Sequence, residues 1–179
     1  MVINKIIGKN IVLRKAKEDD LNDIFYNVWS KKGLCKYMFW EPSTDFASAK
    51  DRLNRTIKYQ NNSLNYFIAL KESDEVIGFC GIKAIDENIY QESGIVISDK
   101  YQNKGLGKEV LSLLLDLAFN KLNANSFIYE CVDTNVISIK LANHFSFKYI
   151  NSYNTIREYD NKEFIINKYE LKVNEYIKK

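Results

Sequence analysis

A strand, a glycine-bearing loop and a leucine-rich helix follow one another between Gln91 and Leu122. The strand contains the β-forming run Ile95-Val96-Ile97, and apolar residues then recur at helical spacing. The residues on this apolar side are Val110, Leu111, Leu114, Leu115, Ala118 and Leu122. Because the loop leads directly into the helix, its N–H groups lie at the positive end of the helix dipole. With two glycines and two lysines, the loop is a predicted phosphate or diphosphate site.

Spacing separates this loop from two common phosphate-binding loops. A P-loop requires Gly-Lys-Ser/Thr with a glycine five residues earlier, but Glu109 follows Gly107-Lys108 and the earlier glycine is absent. A dinucleotide fingerprint requires a third glycine where Val110 stands. The remaining pattern is Gln-x-x-Gly-x-Gly over residues 102–107, between a strand and a helix.

The bulk properties are those of a single globular domain over residues 1–179, with 46% hydrophobic and 27% charged residues. We find neither a membrane-length apolar run nor a signal-peptide pattern, so we expect a cytoplasmic protein that does not contact membranes. The net charge of +3 is too small to predict nucleic-acid binding. One histidine and three separated cysteines predict reduced thiols and no metal site.

The rest of the chain alternates between predicted strands and helices. Strands are expected at 11–16, 65–70, 76–84, 126–132, 148–154 and 164–173, and further helices near 21–28, 43–61 and 136–145. The loop before Pro42 contains Tyr37, Met38, Phe39 and Trp40, which either pack on the core or line a pocket. The two strands of the strand–helix–strand unit should be parallel.

This order, β-α-α-β-β-β-α-β-α-β-β, and the loop pattern resemble the GNAT superfamily of N-acetyltransferases. Residues 36–45 look like the corresponding loop of RimJ/RimL-type members, and the central segment is similar to bacterial spermidine N-acetyltransferases. The resemblance covers nearly the whole chain. It implies an α+β (α/β) GNAT fold, with a mixed, mostly antiparallel sheet of about seven strands flanked by about four helices.

The resemblance also implies acetyl transfer from acetyl-CoA, used as a co-substrate, to a primary amine. Acetyl-CoA would be held by main-chain groups of the strand, by the loop and by the last helix. The residues implied are Ile95, Val96, Ile97, Gln102, Asn103, Lys104, Gly105, Leu106, Gly107, Lys108, Asn135 and Ser138.

Two side chains are candidate catalytic groups by resemblance. Glu92 stands where similar enzymes place a glutamate that accepts the amine proton or binds a cationic acceptor, and Ser138 where RimL-type members place a serine near the CoA sulfur. Asn135 is also a plausible helix cap. Many GNAT enzymes carry a catalytic tyrosine where this chain has Ala142, so the general acid is open.

The predicted acceptor pocket is formed by Tyr37, Phe39, Trp40, Glu41 and Glu92, because aromatic rings and carboxylates suit an ammonium group. The acceptor itself is left open between a protein N-terminus, a small amino compound and a polyamine. Family members are often dimers, so a homodimer also stays open. The absence of the helix tyrosine motivates an alternative, a non-catalytic acyl-CoA-binding or sensor protein on the same fold.

Overall fold

A computed structural model describes residues 3–176 of the chain, so the ends of the predicted domain, 1–2 and 177–179, lie outside the described residues. The strands are β1 (Lys5–Ile7), β2 (Ile11–Arg14), β3 (Leu64–Leu70), β4 (Val76–Asp86), β5 (Ile89–Ile97), β6 (Ser126–Val132), β7 (Lys148–Arg157) and β8 (Lys162–Lys172). The helices are α1 (Leu21–Ile24), α2 (Phe46–Gln60), α3 (Leu106–Asp116), α4 (Val136–His144) and α5 (Val173–Tyr176). Within these described residues, no helix is both long and apolar enough to cross a membrane.

The chain divides into two compact units, and β4 and β5 each contribute to both. The first unit comprises residues 3–82 and 93–113, and the second comprises 83–92 and 114–176. In the first unit, β1/β2, β2/β3 and β3/β4 pair antiparallel. In the second unit, β5 and β6 pair parallel, whereas β6/β8 and β7/β8 pair antiparallel. The expected mixed, mostly antiparallel sheet is confirmed, and residues 3–176 form eight strands and five α-helices where about seven and about four were expected.

The first unit buries its core under α1 and α2, on the inner face of β3 and β4. Its buried residues are Ala16, Ile24, Val28, Trp29, Ala49, Leu53, Phe67, Ala69, Val76 and Val96. Met38 and Trp40 pack against this cluster, whereas Phe39 remains 49% exposed. The loop before Pro42 therefore divides its apolar residues between the core and the surface.

The second unit builds a separate aromatic core on β6. Phe127 meets Phe147 edge-to-face, with 6.1 Å between ring centroids, and Phe119 stacks on Tyr176 at 4.8 Å. The parallel pairing of β5 with β6 joins Ile89–Gln91 to Ser126–Ile128, as the strand–helix–strand unit predicted. The three cysteines are buried and form no disulfide within the described residues, in agreement with the expected reduced thiols.

Several boundaries differ from the sequence prediction. The short β1 and the single-turn α5 were not predicted. The segment expected as one helix over 21–28 is α1 followed by a π-helical turn, Phe25–Trp29, and a 3-10 turn, Glu18–Asp20, precedes it. The leucine-rich helix also ends in a π-helical turn, Leu117–Lys121. Short elements such as these carry too few residues for a periodic pattern to form.

Candidate active site

The loop between β5 and α3 has the main-chain geometry of an anion site. Asn103 and Gly105 have φ angles of +59° and +79°. The N–H groups of Lys108 and Glu109 donate to the Gly105 carbonyl at 3.1 and 3.2 Å and start the helix. Within residues 3–176, the N–H groups of 103–107 donate no hydrogen bond. Five successive main-chain donors are therefore available at the positive end of α3.

The glycines leave room in front of these donors. A Cβ added at Gly105 or Gly107 would meet no described atom within 4 Å. Gly105 also needs its left-handed backbone, which other residues adopt at a cost. At Gly107 no such backbone is required, so the missing side chain serves close approach alone.

Side chains hold this loop in place from the first unit. The Glu109 carboxylate accepts hydrogen bonds from the Asn10 N–H at 2.8 Å and from Asn10 Nδ2 at 2.8 Å. Although burial acts in the opposite direction, these bonds lower the pKa of Glu109. Gln102 Nε2 donates to the Ile97 carbonyl at 2.9 Å, and the Tyr101 hydroxyl donates to Glu75 at 2.9 Å. The donors of the loop are thus presented by a fixed backbone.

In the strand that precedes the loop, Val96 and Ile97 are buried and Ile95 is half-buried. Their side chains therefore belong to the core, and the main chain is what they can offer to a ligand. Gly94 has a φ of +107°, so the strand is not regularly extended at that point. A regularly extended strand would place Glu92, Gly94 and Val96 on one face, and the backbone at Gly94 interrupts this alternation.

The second unit brings Glu92 and Ser138 to one buried cluster through Tyr129. Glu92 is 8% exposed and Tyr129 is 3% exposed. Burial, followed by the charge of Glu92, raises the pKa of Tyr129, and a side-chain hydrogen bond with Ser138 acts in the opposite direction. Burial and then Glu92 also raise the pKa of the Cys131 thiol to about 12. Tyr129 and Cys131 are therefore protonated near neutral pH, beside a carboxylate.

Two predictions concern α4, namely the cap at Asn135 and the missing hydroxyl at Ala142. Asn135 caps α4, since its side-chain oxygen accepts from the Ser138 N–H at 3.3 Å. This confirms the predicted cap and fixes the turn that carries Ser138. Ala142 is fully buried, so that position of α4 offers neither a hydroxyl nor access to a ligand.

Two cavities lie beside α2, and the residues that line them all belong to the first unit. The outer cavity, of about 600 Å³, is lined by Trp40, Glu41, Pro42, Ser43, Thr44, Ser48, Arg52, Arg55, Thr56 and Tyr59. The inner cavity, of about 180 Å³, is lined by Trp29, Arg52, Thr56, Tyr59, Gln60, Asn65, Tyr66, Phe67, Phe79, Cys80 and Ser93. Of the predicted acceptor residues, Trp40 and Glu41 line the outer cavity, whereas Tyr37 and Phe39 line neither.

Arg52, Tyr66 and Tyr129 are the site candidates that sequence reasoning missed. Arg52 is one of several charged residues on α2, and Tyr66 and Tyr129 are aromatic residues within apolar strands. Nothing in the local pattern distinguishes them, because their neighbours in space come from other elements.

Comparisons with known proteins agree with this geometry. Residues 10–148 match the family model described as the acetyltransferase (GNAT) domain. The uncharacterized N-acetyltransferase p20 of Bacillus licheniformis is 34% identical over 143 residues, which are 78% of this chain and 80% of that protein.

Solved structures are similar in fold. A GNAT-family acetyltransferase from Bacillus anthracis matches with a TM-score of 0.81 and 18% identity, over 95% of this chain and 99% of that one. The ribosomal L7/L12 α-N-protein acetyltransferase RimL, solved in complex with coenzyme A, matches with a TM-score of 0.79 and 16% identity, over 96% and 99% of the two chains.

Proposed function

Because the chain belongs to the acetyltransferase (GNAT) domain family, and is thus an acyltransferase, we propose that it moves an acetyl group from acetyl-CoA to a primary amine. The observation that carries the proposal is the run of main-chain N–H groups at 103–107, which have no hydrogen-bond partner within the described residues. A diphosphate would satisfy these donors and interact favourably with the dipole of α3. Lys104 and Lys108 add positive charge beside them.

The acetyl arm of the coenzyme would follow the main chain of Ile95, Val96 and Ile97. Such an arm is amide-containing and extended, so it can pair with a strand as another strand would. The Ile97 carbonyl is already used by Gln102, which leaves the other main-chain groups of this segment as candidate partners. At the far end, the Asn135 amide remains a candidate for contact with the same arm, because capping uses only its oxygen.

Direct transfer needs one base and one acid. The amine nitrogen bonds to the acetyl carbon as the carbon–sulfur bond breaks, the amine loses a proton, and the sulfur gains one. We propose that Glu92 accepts the amine proton, directly or through water. The Ser138 hydroxyl donates the proton that the sulfur gains. The Glu92 side chain is 8% exposed and lies beside the buried Tyr129, and this placement supports its role.

Tyr129 extends the acid side of this assignment. Its hydroxyl is hydrogen-bonded to Ser138 and remains protonated near neutral pH. It can therefore orient the Ser138 hydroxyl and return a proton to it after transfer. We propose Tyr129 as the positioning residue that compensates for the absence of a hydroxyl at Ala142.

A coenzyme-binding protein without turnover is the second candidate, favoured by the burial of Ala142. The two candidates are separated by mixing the protein with acetyl-CoA and a panel of amines, and by following the release of free thiol. The panel contains serine-initiated peptides, small amino compounds and spermidine. Acetylation of at least one amine, with stoichiometric thiol release, is the expected result. Tight coenzyme binding without acetylation of any amine would contradict the enzyme and favour the sensor.

A further inference from the structure

The inner and outer cavities share three residues of α2, namely Arg52, Thr56 and Tyr59. Arg52 therefore borders both cavities. The inner cavity is also bounded by Ser93, the residue that follows Glu92 in the chain.

Arg52 is held rigidly by two aromatic rings. Its guanidinium carbon lies 4.6 Å from the ring centroid of Trp29 and 4.8 Å from that of Trp40. Its Nη1 donates to the Glu41 carbonyl at 3.1 Å. Burial lowers the pKa of Arg52 to about 10, so the group is still charged at neutral pH. A guanidinium has five N–H donors, and most of these remain for a ligand.

The charge of Arg52 is not balanced by the protein around it. Among residues 3–176, no carboxylate forms an ion pair with Arg52. No Asp or Glu lines the inner cavity, and Glu41 is the one carboxylate on the outer cavity, beside both Arg52 and Arg55. A partly buried cation without a counter-charge is unfavourable by itself and favours binding of an anion.

Tyr66, which also lines the inner cavity, carries a second donor. The Tyr66 hydroxyl is buried and has no hydrogen-bond partner among the described residues, and the same holds for Nε1 of Trp40. Burial, with a smaller effect of Cys80, raises the pKa of Tyr66 to about 12, so this hydroxyl is a donor at working pH. Buried polar groups are almost always paired, so an unpaired donor on a residue that lines a cavity is a candidate partner for a ligand acceptor atom.

We propose that the inner cavity binds a carboxylate of the acceptor molecule, with Arg52 as the charged donor and Tyr66 as the neutral one. This inference rests on the proposed function, since it names the acceptor class of the same site. One guanidinium matches a single carboxylate in charge and geometry. The volume of 180 Å³ equals about six waters, enough for a compact group and too small for a long polyamine.

The carboxylate can come from two sources, a free amino acid or an acidic side chain near a peptide N-terminus. The experiment uses matched pairs of acceptors, in which one member carries a carboxylate where the other carries a carboxamide. Free amino acids are paired with their amides, and C-terminally amidated Ser-Asp peptides are paired with Ser-Asn peptides. We expect kcat/KM to be about 10- to 100-fold higher for the carboxylate member of one pair, and that pair identifies the source.

The variant Arg52→Gln removes the charge and keeps a planar group between the two tryptophans. It should lose the preference for carboxylates, because kcat/KM should fall far more on those acceptors than on the carboxamides. Arg52→Lys should retain part of the preference. The matched control is Arg55→Gln on the same helix, because Arg55 is exposed and lines only the outer cavity. A preference that persists in Arg52→Gln, or is absent from the natural protein, would overturn the proposal.

Binding without turnover separates this proposal from the proposed function. The affinities of N-acetylaspartate and of its diamide, in which both carboxylates are replaced by carboxamides, are measured by calorimetry on the natural protein and on Arg52→Gln. Tighter binding of N-acetylaspartate that requires Arg52 supports the carboxylate site even if no amine is acetylated, and in that case only the proposed function fails. Equal binding of the two compounds, or a preference for inorganic phosphate over both, overturns the carboxylate assignment even in an active enzyme.

Discussion

The start of α3 and the side of α2 both offer donors for an anion, but they offer different atoms. At α3 the donors are main-chain N–H groups of 103–107, and the glycines keep side chains away. At α2 the donor is the Arg52 guanidinium, fixed between Trp29 and Trp40. A main-chain site recognises a shape common to many ligands, whereas a side-chain site can change with one substitution. We therefore expect the coenzyme site to tolerate side-chain changes and the acceptor site to depend on them.

The largest effect should come from placing a side chain in the α3 loop. Gly107→Glu puts a carboxylate where a diphosphate would lie, and the open space around Gly107 means that the fold should persist. Coenzyme affinity measured by calorimetry should fall by about three orders of magnitude, because several charge-assisted hydrogen bonds are lost. Binding of N-acetylaspartate should be unchanged.

The matched control for this variant is Gly33→Glu, since a Cβ at Gly33 also meets no atom within 4 Å. It should change neither the melting temperature nor coenzyme affinity. If Gly107→Glu melts like the natural protein and still binds the coenzyme normally, the α3 loop is not the diphosphate site. The main-chain half of the comparison between α3 and α2 would then be wrong.

Removing the proposed base should leave both anion sites intact. Glu92→Gln should lower kcat by about two orders of magnitude, the usual contribution of a general base. Coenzyme affinity and N-acetylaspartate affinity should both stay within about twofold of the natural protein. Glu130→Gln is the control, because Glu130 accepts from Gln91 and Tyr153 in the same unit and is assigned no chemical role. Unchanged kcat in Glu92→Gln would exclude this carboxylate from proton transfer.

A smaller effect, with opposite signs on binding and stability, is expected at Tyr66. Tyr66→Phe removes a buried hydroxyl that has no described partner, so the free energy of unfolding should rise by about 1 kcal/mol. The same change removes a donor from the inner cavity, and KM for carboxylate acceptors should rise about three- to tenfold. Denaturant titration and acceptor kinetics measure the two effects. Tyr26→Phe, at a 59% exposed position, should alter neither quantity. A Tyr66→Phe protein with unchanged KM would leave Arg52 as the sole recognition group.

The smallest effect concerns Lys15, whose Nζ lies 4.2 Å from the Tyr66 ring centroid. Burial lowers the pKa of Lys15 from 10.5 to about 8. Between these pH values the unfolded chain binds more protons than the folded protein, so raising the pH stabilises the fold. The free energy of unfolding of the natural protein, relative to Lys15→Met, should therefore increase from pH 8 to pH 10.5. Parallel pH profiles for the two proteins would contradict a desolvated ammonium beside the inner cavity.

The two anion sites also differ in how much the sequence predicts. The α3 loop, its flanking strand and its helix are contiguous, and their pattern predicts both structure and ligand. The inner cavity takes residues from the segment at Trp29, from α2 and from three strands, so its charge balance exists only after folding. Sequence reasoning therefore predicted an acceptor pocket from Tyr37, Phe39, Trp40, Glu41 and Glu92, and it did not identify Arg52, whose partners are distant along the chain.

The second unit shows the same difference between features set by neighbouring residues in the chain and features formed only after folding. Its strand and helix limits were predicted closely, because alternation and capping are local signals, and Asn135 caps α4 as expected. Tyr129 was missed because its relation to Glu92 and Ser138 depends on three separate elements. Gly94 was predicted as an ordinary strand residue, and its left-handed backbone became visible only in the structure.

The most direct test of the central claim is a titration of the ¹⁵N-labelled protein with coenzyme A, followed by amide proton and nitrogen chemical shifts. If main-chain N–H groups at the start of α3 bind the diphosphate, the largest downfield amide-proton shifts will come from Asn103 to Gly107. Coenzyme binding that leaves those five amide signals in place, while others move, would contradict the claim.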